Sequence, residues 1–122
     1  MIVKLLRASI LALVCAASAA SNAQARTPYD GAWSVLIVTE SGNCDRAYRY
    51  GVQIVDGFVR YDGAIVSFDG RVAPNGTVKV TVSAGNNRAN GSGKLSRNTG
   101  KGFWRGSSGN DACSGYWVAE RR

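Results

Sequence analysis

The stretch from Tyr48 to Tyr61 constrains this chain most. Tyr48, Tyr50, Val52 and Ile54 alternate with Arg49, Gly51 and Gln53. A period of two places the two sets on opposite faces of a strand. Asp56-Gly57 follows, a dipeptide suited to a two-residue hairpin whose central residues take positive φ. Such a turn sets Ile54 opposite Val59, Val52 opposite Tyr61 and Gln53 opposite Arg60. Apolar meets apolar and polar meets polar, so a one-residue slip would bury Gln53 and expose Ile54. The chain is therefore expected to build antiparallel sheet with one face against a core.

The same matching continues downstream. Across Pro74-Asn75-Gly76, a three-residue link pairs Val72 with Val78, Gly70 with Val80 and Phe68 with Val82. Strands are predicted over residues 32–39, 45–55, 64–73, 77–83, 88–96, 101–105 and 112–120. A very short additional one lies between the Asp56-Gly57 and Asp62-Gly63 signals, and 106–111 reads as a loop. No segment after residue 25 carries a helical period, and all 15 glycines fall there. About eight short strands with short links make an all-β, antiparallel up-and-down meander. Closure into a barrel would remove its exposed edges; a β-sandwich is the alternative.

Three triplets, Gly31-Ala32-Trp33, Gly102-Phe103-Trp104 and Gly115-Tyr116-Trp117, hold all three tryptophans. Residues two apart share a strand face, so each glycine is expected to leave room beside its own indole. Trp33, Trp104 and Trp117 are predicted core residues; the competing reading is a tryptophan-lined ligand pocket. Ala89, Gly91 and Gly93 form a run of small inward residues, and the indoles are candidates to fill the space they leave.

The first 25 residues read as an address. Lys4 and Arg7 precede an apolar run over residues 8–20, and Ala23-Gln24-Ala25 has the pattern of a cleavage site. A cleaved signal peptide over 1–25 and a single domain over 26–122 are expected, with a periplasmic or extracellular destination. A lipid anchor on Cys15 is the alternative, against which Val14 is a poor preceding residue. Cleavage removes Cys15, one of three cysteines. Cys44 and Cys113 remain, and an oxidising compartment predicts a disulfide between them.

The whole chain carries a formal charge of +7, and +5 once Lys4 and Arg7 are gone. The charges are scattered, which with export argues against nucleic acid. Anionic polysaccharide, lipid headgroups or a secreted protein are the compatible partners. There is no histidine, so the usual Ser-His-Asp and Cys-His devices are excluded, and two cysteines alone cannot hold zinc. Heme would have to do without histidine, and the single methionine is Met1. Glu40, Asp45, Asp56, Asp62 and Asp69 mostly occupy turn positions that suit them conformationally. No catalytic residue, metal or cofactor is assigned.

One constellation stands out. Arg46, Arg49, Arg60 and Arg105 keep company with Tyr48, Tyr50, Tyr61, Phe103 and Tyr116, a mixture suited to acidic sugars or a protein partner. Arg49, Arg60, Arg105 and Tyr116 are the candidate ligand contacts; the competing reading is ordinary alternation, tyrosine inward and arginine outward. The function expected is an exported, non-enzymatic binding or adhesion protein presenting this surface to an anionic envelope or host ligand. An inhibitor of a secreted or periplasmic enzyme, similar to the small disulfide-bearing lysozyme inhibitors, is the alternative. The positive charge argues against a cationic lysozyme as its partner.

Two resemblances add to this. Gly31-Ala32-Trp33 at the first strand and Arg121 past the last resemble the lipocalin and avidin pattern, which implies that Trp33 closes a barrel floor and Arg121 packs over it. Asp30-Gly31-Ala32-Trp33-Ser34, the stretch Cys44-Asp45-Arg46-Ala47-Tyr48-Arg49-Tyr50, and Cys113-Ser114-Gly115-Tyr116-Trp117-Val118-Ala119-Glu120-Arg121 resemble a group of short exported proteobacterial proteins. Some of that group carry the label of an exoprotein of heme utilization or adhesion.

Overall fold

A computed structural model describes residues 26–61 and 63–122; the expected signal peptide, Cys15 and Asp62 lie outside them. Asp56 and Gly57 take φ of 54° and 85°, both left-handed, as a tight hairpin between right-twisted strands requires. The ladder that results pairs Ile54 with Val59 and Gln53 with Arg60. It ends there, so Tyr61 lies beyond the pairing expected for it with Val52.

The strands are β1 (Gly31–Ser41), β2 (Ala47–Val55), β3 (Phe58–Arg60), β4 (Ser67–Val72), β5 (Thr77–Ala84), β6 (Asn87–Leu95), β7 (Thr99–Ser108) and β8 (Asp111–Arg121). Each is antiparallel to its sequence neighbour, and β8 returns to pair with β1, closing the barrel. The barrel reading holds and the sandwich does not. Val72–Val78, Gly70–Val80 and Phe68–Val82 face each other as their alternation dictates. Several boundaries differ from expectation. β2 and β4 begin later, at Ala47 and Ser67. The stretch 106–111 is no loop: β7 and β8 stay paired as far as Ser108–Asp111, and Gly109, at φ 63°, helps turn the chain.

Over β4–β6 the inward residues are small or apolar and the outward ones polar. Asp69, Arg71, Lys79, Thr81, Asn90 and Lys94 lie on the outer face of β4–β6. An outer-membrane barrel needs the reverse, an apolar belt outside and a polar lumen. Among the described residues, no helix is long and apolar enough to cross a membrane.

The core gathers at one end. Trp33, Val52, Ile54, Val59, Val72, Val78, Leu95, Trp117 and Ala119 pack together there. Trp33, only 1% exposed, is its most deeply buried large side chain. The Arg121 guanidinium lies 4.8 Å above the Trp33 ring. It also donates to the carbonyls of Asp30 (2.8 Å), Pro28 (2.6 Å) and Arg97 (3.0 Å). One side chain thus ties the start of the domain and the β6–β7 turn to the end of β8, over a floor closed by Trp33. A second tie lies beside it: the Asp30 carboxylate accepts from the amides of Asp56 (2.8 Å) and Gly57 (3.1 Å) and from the Thr27 hydroxyl (2.6 Å). Burial pushes the Asp30 carboxyl up, but these hydrogen bonds outweigh it and hold it below its ordinary value.

Each indole satisfies its N–H on a backbone carbonyl: Trp33 on Tyr29 (2.8 Å), Trp104 on Val38 (3.0 Å) and Trp117 on Ser92 (3.2 Å). The glycines that make room for Trp117 are not the one in its own triplet. A Cβ at Gly93 or Gly102 would stand 2.6 Å from its ring. Gly115 instead lets β8 approach β1, where a Cβ would strike the Val38 carbonyl, next to the register shift at Thr39–Ser41. The space is cleared across strands because an inward indole lies over its neighbours in the sheet.

Cys44 and Cys113 are disulfide-bonded, with Cα atoms 6.2 Å apart and a sequence separation of 69. Closing so long a loop stabilises by about 4 kcal/mol in the chain-entropy account. The bond is compatible with an oxidising, exported location.

Candidate functional site

Above the packed core the barrel is hollow. A cavity of about 440 Å³ runs from Trp33 and Trp117 up to Asn43, Asn87 and Ser108 at the opposite end. That volume is within the usual range of small-molecule sites. The inward side chains of β5 and β6 explain the space: Val80, Val82 and Ala84 face Gly91, Ala89 and Asn87, and none is large enough to reach the barrel axis. Trp117 fills the lower part because its indole crosses Gly102 toward Ser92. Higher up, the Trp104 indole crosses β8 to the Val38 carbonyl and stays half-buried against the β1 side, which leaves the lumen beside β5 and β6 open.

The walls are apolar. Val35 and Ile37 of β1 line one side, with Trp104 of β7 beside them. Next to them, from β2 round to β4, stands an aromatic cluster. Tyr50 meets Tyr48 nearly in parallel, centroids 4.8 Å apart, and meets Tyr61 and Phe68 edge-on, each at 5.2 Å. Tyr61 and Phe68 touch at 5.1 Å. Burial, then the neighbouring Tyr48, Tyr61 and Asp45, raises the Tyr50 phenol above its ordinary value, so it remains a neutral hydrogen-bonding group at neutral pH. Polar groups ring the mouth: Asn43 and Asp45 from the β1–β2 loop, Asn87 and Arg88 from β6, Ser107 and Ser108 from β7. Cys44 is part of this rim, so the disulfide anchors the β1–β2 loop to β8 at the entrance.

The four candidate ligand contacts all lie on the outer face, each on a different strand. Arg49 and Arg60 are on the outer face of β2 and β3. Arg49 donates to the Ser34 hydroxyl at 2.9 Å. Arg60 stands 5.4 Å from the Phe58 ring, which Arg71 also flanks at 4.8 Å. Arg105 and Tyr116 are on β7 and β8, across β1 from Arg49 and well away from Arg60. Tyr50 and Phe68 belong to the interior and Tyr48, 53% exposed, faces inward at the mouth, the outcome that plain alternation implies. Trp33 and Trp117 are core residues, while Trp104 is half-buried and lines the cavity.

Sequence reasoning missed the cavity as a unit. Its signal was the small inward run on β6, read as space for tryptophan; only the lower half of that space is so used. Among the described residues, no three His, Cys, Asp or Glu side chains converge. Compared with protein-family models, curated proteins and solved structures, the chain gives no match to any of them.

Proposed function

We propose that this is an exported, non-enzymatic binding protein whose barrel is a cup for one small, largely apolar ligand. The observation that carries this reading is the cavity of about 440 Å³, floored by Trp33 and Trp117 and open at the disulfide-bearing end. Apolar walls supply most of the binding energy, since each buried methylene gives about 0.8 kcal/mol. The ring of Asn43, Asp45, Asn87, Arg88 and the two serines orients a polar end at the mouth. An amphiphile, or a planar ring compound able to stack on Tyr48, Tyr50 and Trp104, matches that division.

The test is a titration with dodecanoate and with 1-anilinonaphthalene-8-sulfonate, read by tryptophan and probe fluorescence. Saturable 1:1 binding of either is expected. Ala84→Trp, which plugs the upper cavity without touching the core, is expected to abolish it while leaving the melting curve in place. No saturation by either probe, or equal binding by the plugged variant, overturns the reading.

A further inference from the structure

The outer wall of the barrel is not uniform. Over β4 and β5 it is polar: Asp69 faces Thr81, and Arg71 faces Lys79. On the far side, the register brings apolar side chains together on the outside. Phe103, Tyr116 and Val38 are successive cross-strand neighbours on β7, β8 and β1. In the next row, Val118 faces Leu36. Phe103 is 72% exposed, Tyr116 37% and Val118 38%. None of these side chains is needed to seal the core, because Trp33, Val35, Ile37, Trp104 and Trp117 already occupy the inner faces of the same strands. A contiguous outward patch of this kind marks a contact surface.

The residues around the patch say what it contacts. Lys101 lies beside Val118 and opposite Lys94, Arg105 lies opposite Ser114, and Arg49 lies opposite Leu36. Glu40 and Glu120 are the acids at its two ends. Cations thus flank the apolar rows, while the acids mark their limits. Aromatic and aliphatic side chains framed by lysine and arginine match the boundary between anionic headgroups and acyl chains. A second copy of the chain would instead bring its own Lys101 and Arg105 toward the same cations, at a cost in charge repulsion.

We infer that the β7–β8–β1 outer wall docks the protein peripherally on an anionic lipid surface, with Phe103 and Tyr116 entering the headgroup layer and Lys101, Arg105, Lys94 and Arg49 engaging phosphate. This surface is separate from the cavity and stands whatever the cavity holds.

Co-sedimentation with vesicles tests it, using the full chain expressed with its own leader and purified as the cell processes it. The vesicles are phosphatidylcholine alone or with phosphatidylglycerol at roughly one lipid in three, a content that gives a strongly negative surface. The wild type is expected to pellet with the anionic vesicles, not the zwitterionic ones, and to be released by salt. Lys101→Glu with Arg105→Glu should weaken binding at least about 25-fold, at roughly fivefold for each basic residue near such a surface. Phe103→Ser with Tyr116→Ser should weaken it while keeping the melting temperature. Arg71→Glu with Lys79→Glu makes the same change of charge on the opposite wall and should stay within about twofold of wild type. The inference falls if the wild type stays in solution at low salt, or if the opposite-wall variant loses as much as Lys101→Glu with Arg105→Glu. It falls equally if the Phe103/Tyr116 variant binds like wild type, or if sedimentation equilibrium shows a stable dimer that this variant dissociates.

Discussion

The two ends of the barrel use the same alternation but different inward residues. At the floor, Trp33 spans the lumen, Arg121 caps it through three backbone carbonyls, and Asp30 clamps the β2–β3 turn. At the mouth, β5 to β7 turn Val82, Ala84, Ala89 and Gly106 inward, and the chief tie is covalent, Cys44–Cys113. The floor is held by burial and by hydrogen bonds within it. The mouth leaves its lumen empty, and its disulfide acts mainly by restricting the unfolded chain. A barrel of this size has little surface to bury, and here that burial is concentrated at one end.

Truncation at the floor should show the largest difference. Trp33→Ala removes a side chain 1% exposed and leaves Arg121 without its ring. A loss of about 5 kcal/mol is expected, the upper end for buried aromatics. Trp104→Ala, which deletes a half-buried indole of the cavity wall, should cost about half as much or less. Urea melts of the two variants check this; equal costs would mean that the mouth is packed as firmly as the floor.

The intermediate case lies where filled and hollow halves meet. At Gly93 a Cβ would stand 2.6 Å from both the Gly102 Cα and the Trp117 Cζ2, and would strike the Lys101 carbonyl. Backbone cannot give way as a flexible side chain can. Gly93→Ala should therefore cost about 2 kcal/mol by overpacking, despite the better strand propensity of alanine. Thermal melts with intrinsic fluorescence read both the loss and the displaced indole; an unchanged melt would remove Trp117 from its place over β6 and β7.

Much of this architecture could be read from the residues because the turns carry their own chemistry. Asp56-Gly57 fixes Ile54 opposite Val59, and Pro74-Asn75-Gly76 fixes Val72 opposite Val78. The ends of β7 and β8 could not be read so. Gly106, Ser107, Ser108, Gly109 and Asn110 have loop composition, yet up to Ser108 they stay in the ladder because Ala112 and Cys113 hold the facing strand. The lumen was harder still. Its depth depends on how far the Trp117 indole reaches across Gly102 and Gly93, and that is a cross-strand fact with no signature in any one segment. The outward apolar rows have the same origin. Leu36 and Val38 show in the sequence that both faces of the first strand are apolar, but only barrel closure sets them beside Tyr116 and Val118.

The smallest expected effect is also the sharpest probe of the boundary. Gly91 and Gly93 are two residues apart on β6 and share its inner face. A Cβ at Gly91 would meet Val80 Cγ1 at 3.3 Å, the Phe103 carbonyl at 3.7 Å and Trp117 Nε1 at 3.7 Å. The single tight neighbour is a methyl group beside open lumen, so it can move a few tenths of an ångström. Alanine there also restricts the unfolded chain, a gain of up to about 1 kcal/mol where the backbone is compatible. The two contributions nearly cancel, and Gly91→Ala should lie within about 0.5 kcal/mol of wild type. Each larger inward residue should then take up ligand space: Gly91→Val should keep the fold but weaken dodecanoate binding. If Gly91→Ala proved as costly as Gly93→Ala, packing would extend a full residue pair higher than the cavity allows, and the division into a filled floor and a hollow mouth would fail at the position that defines it.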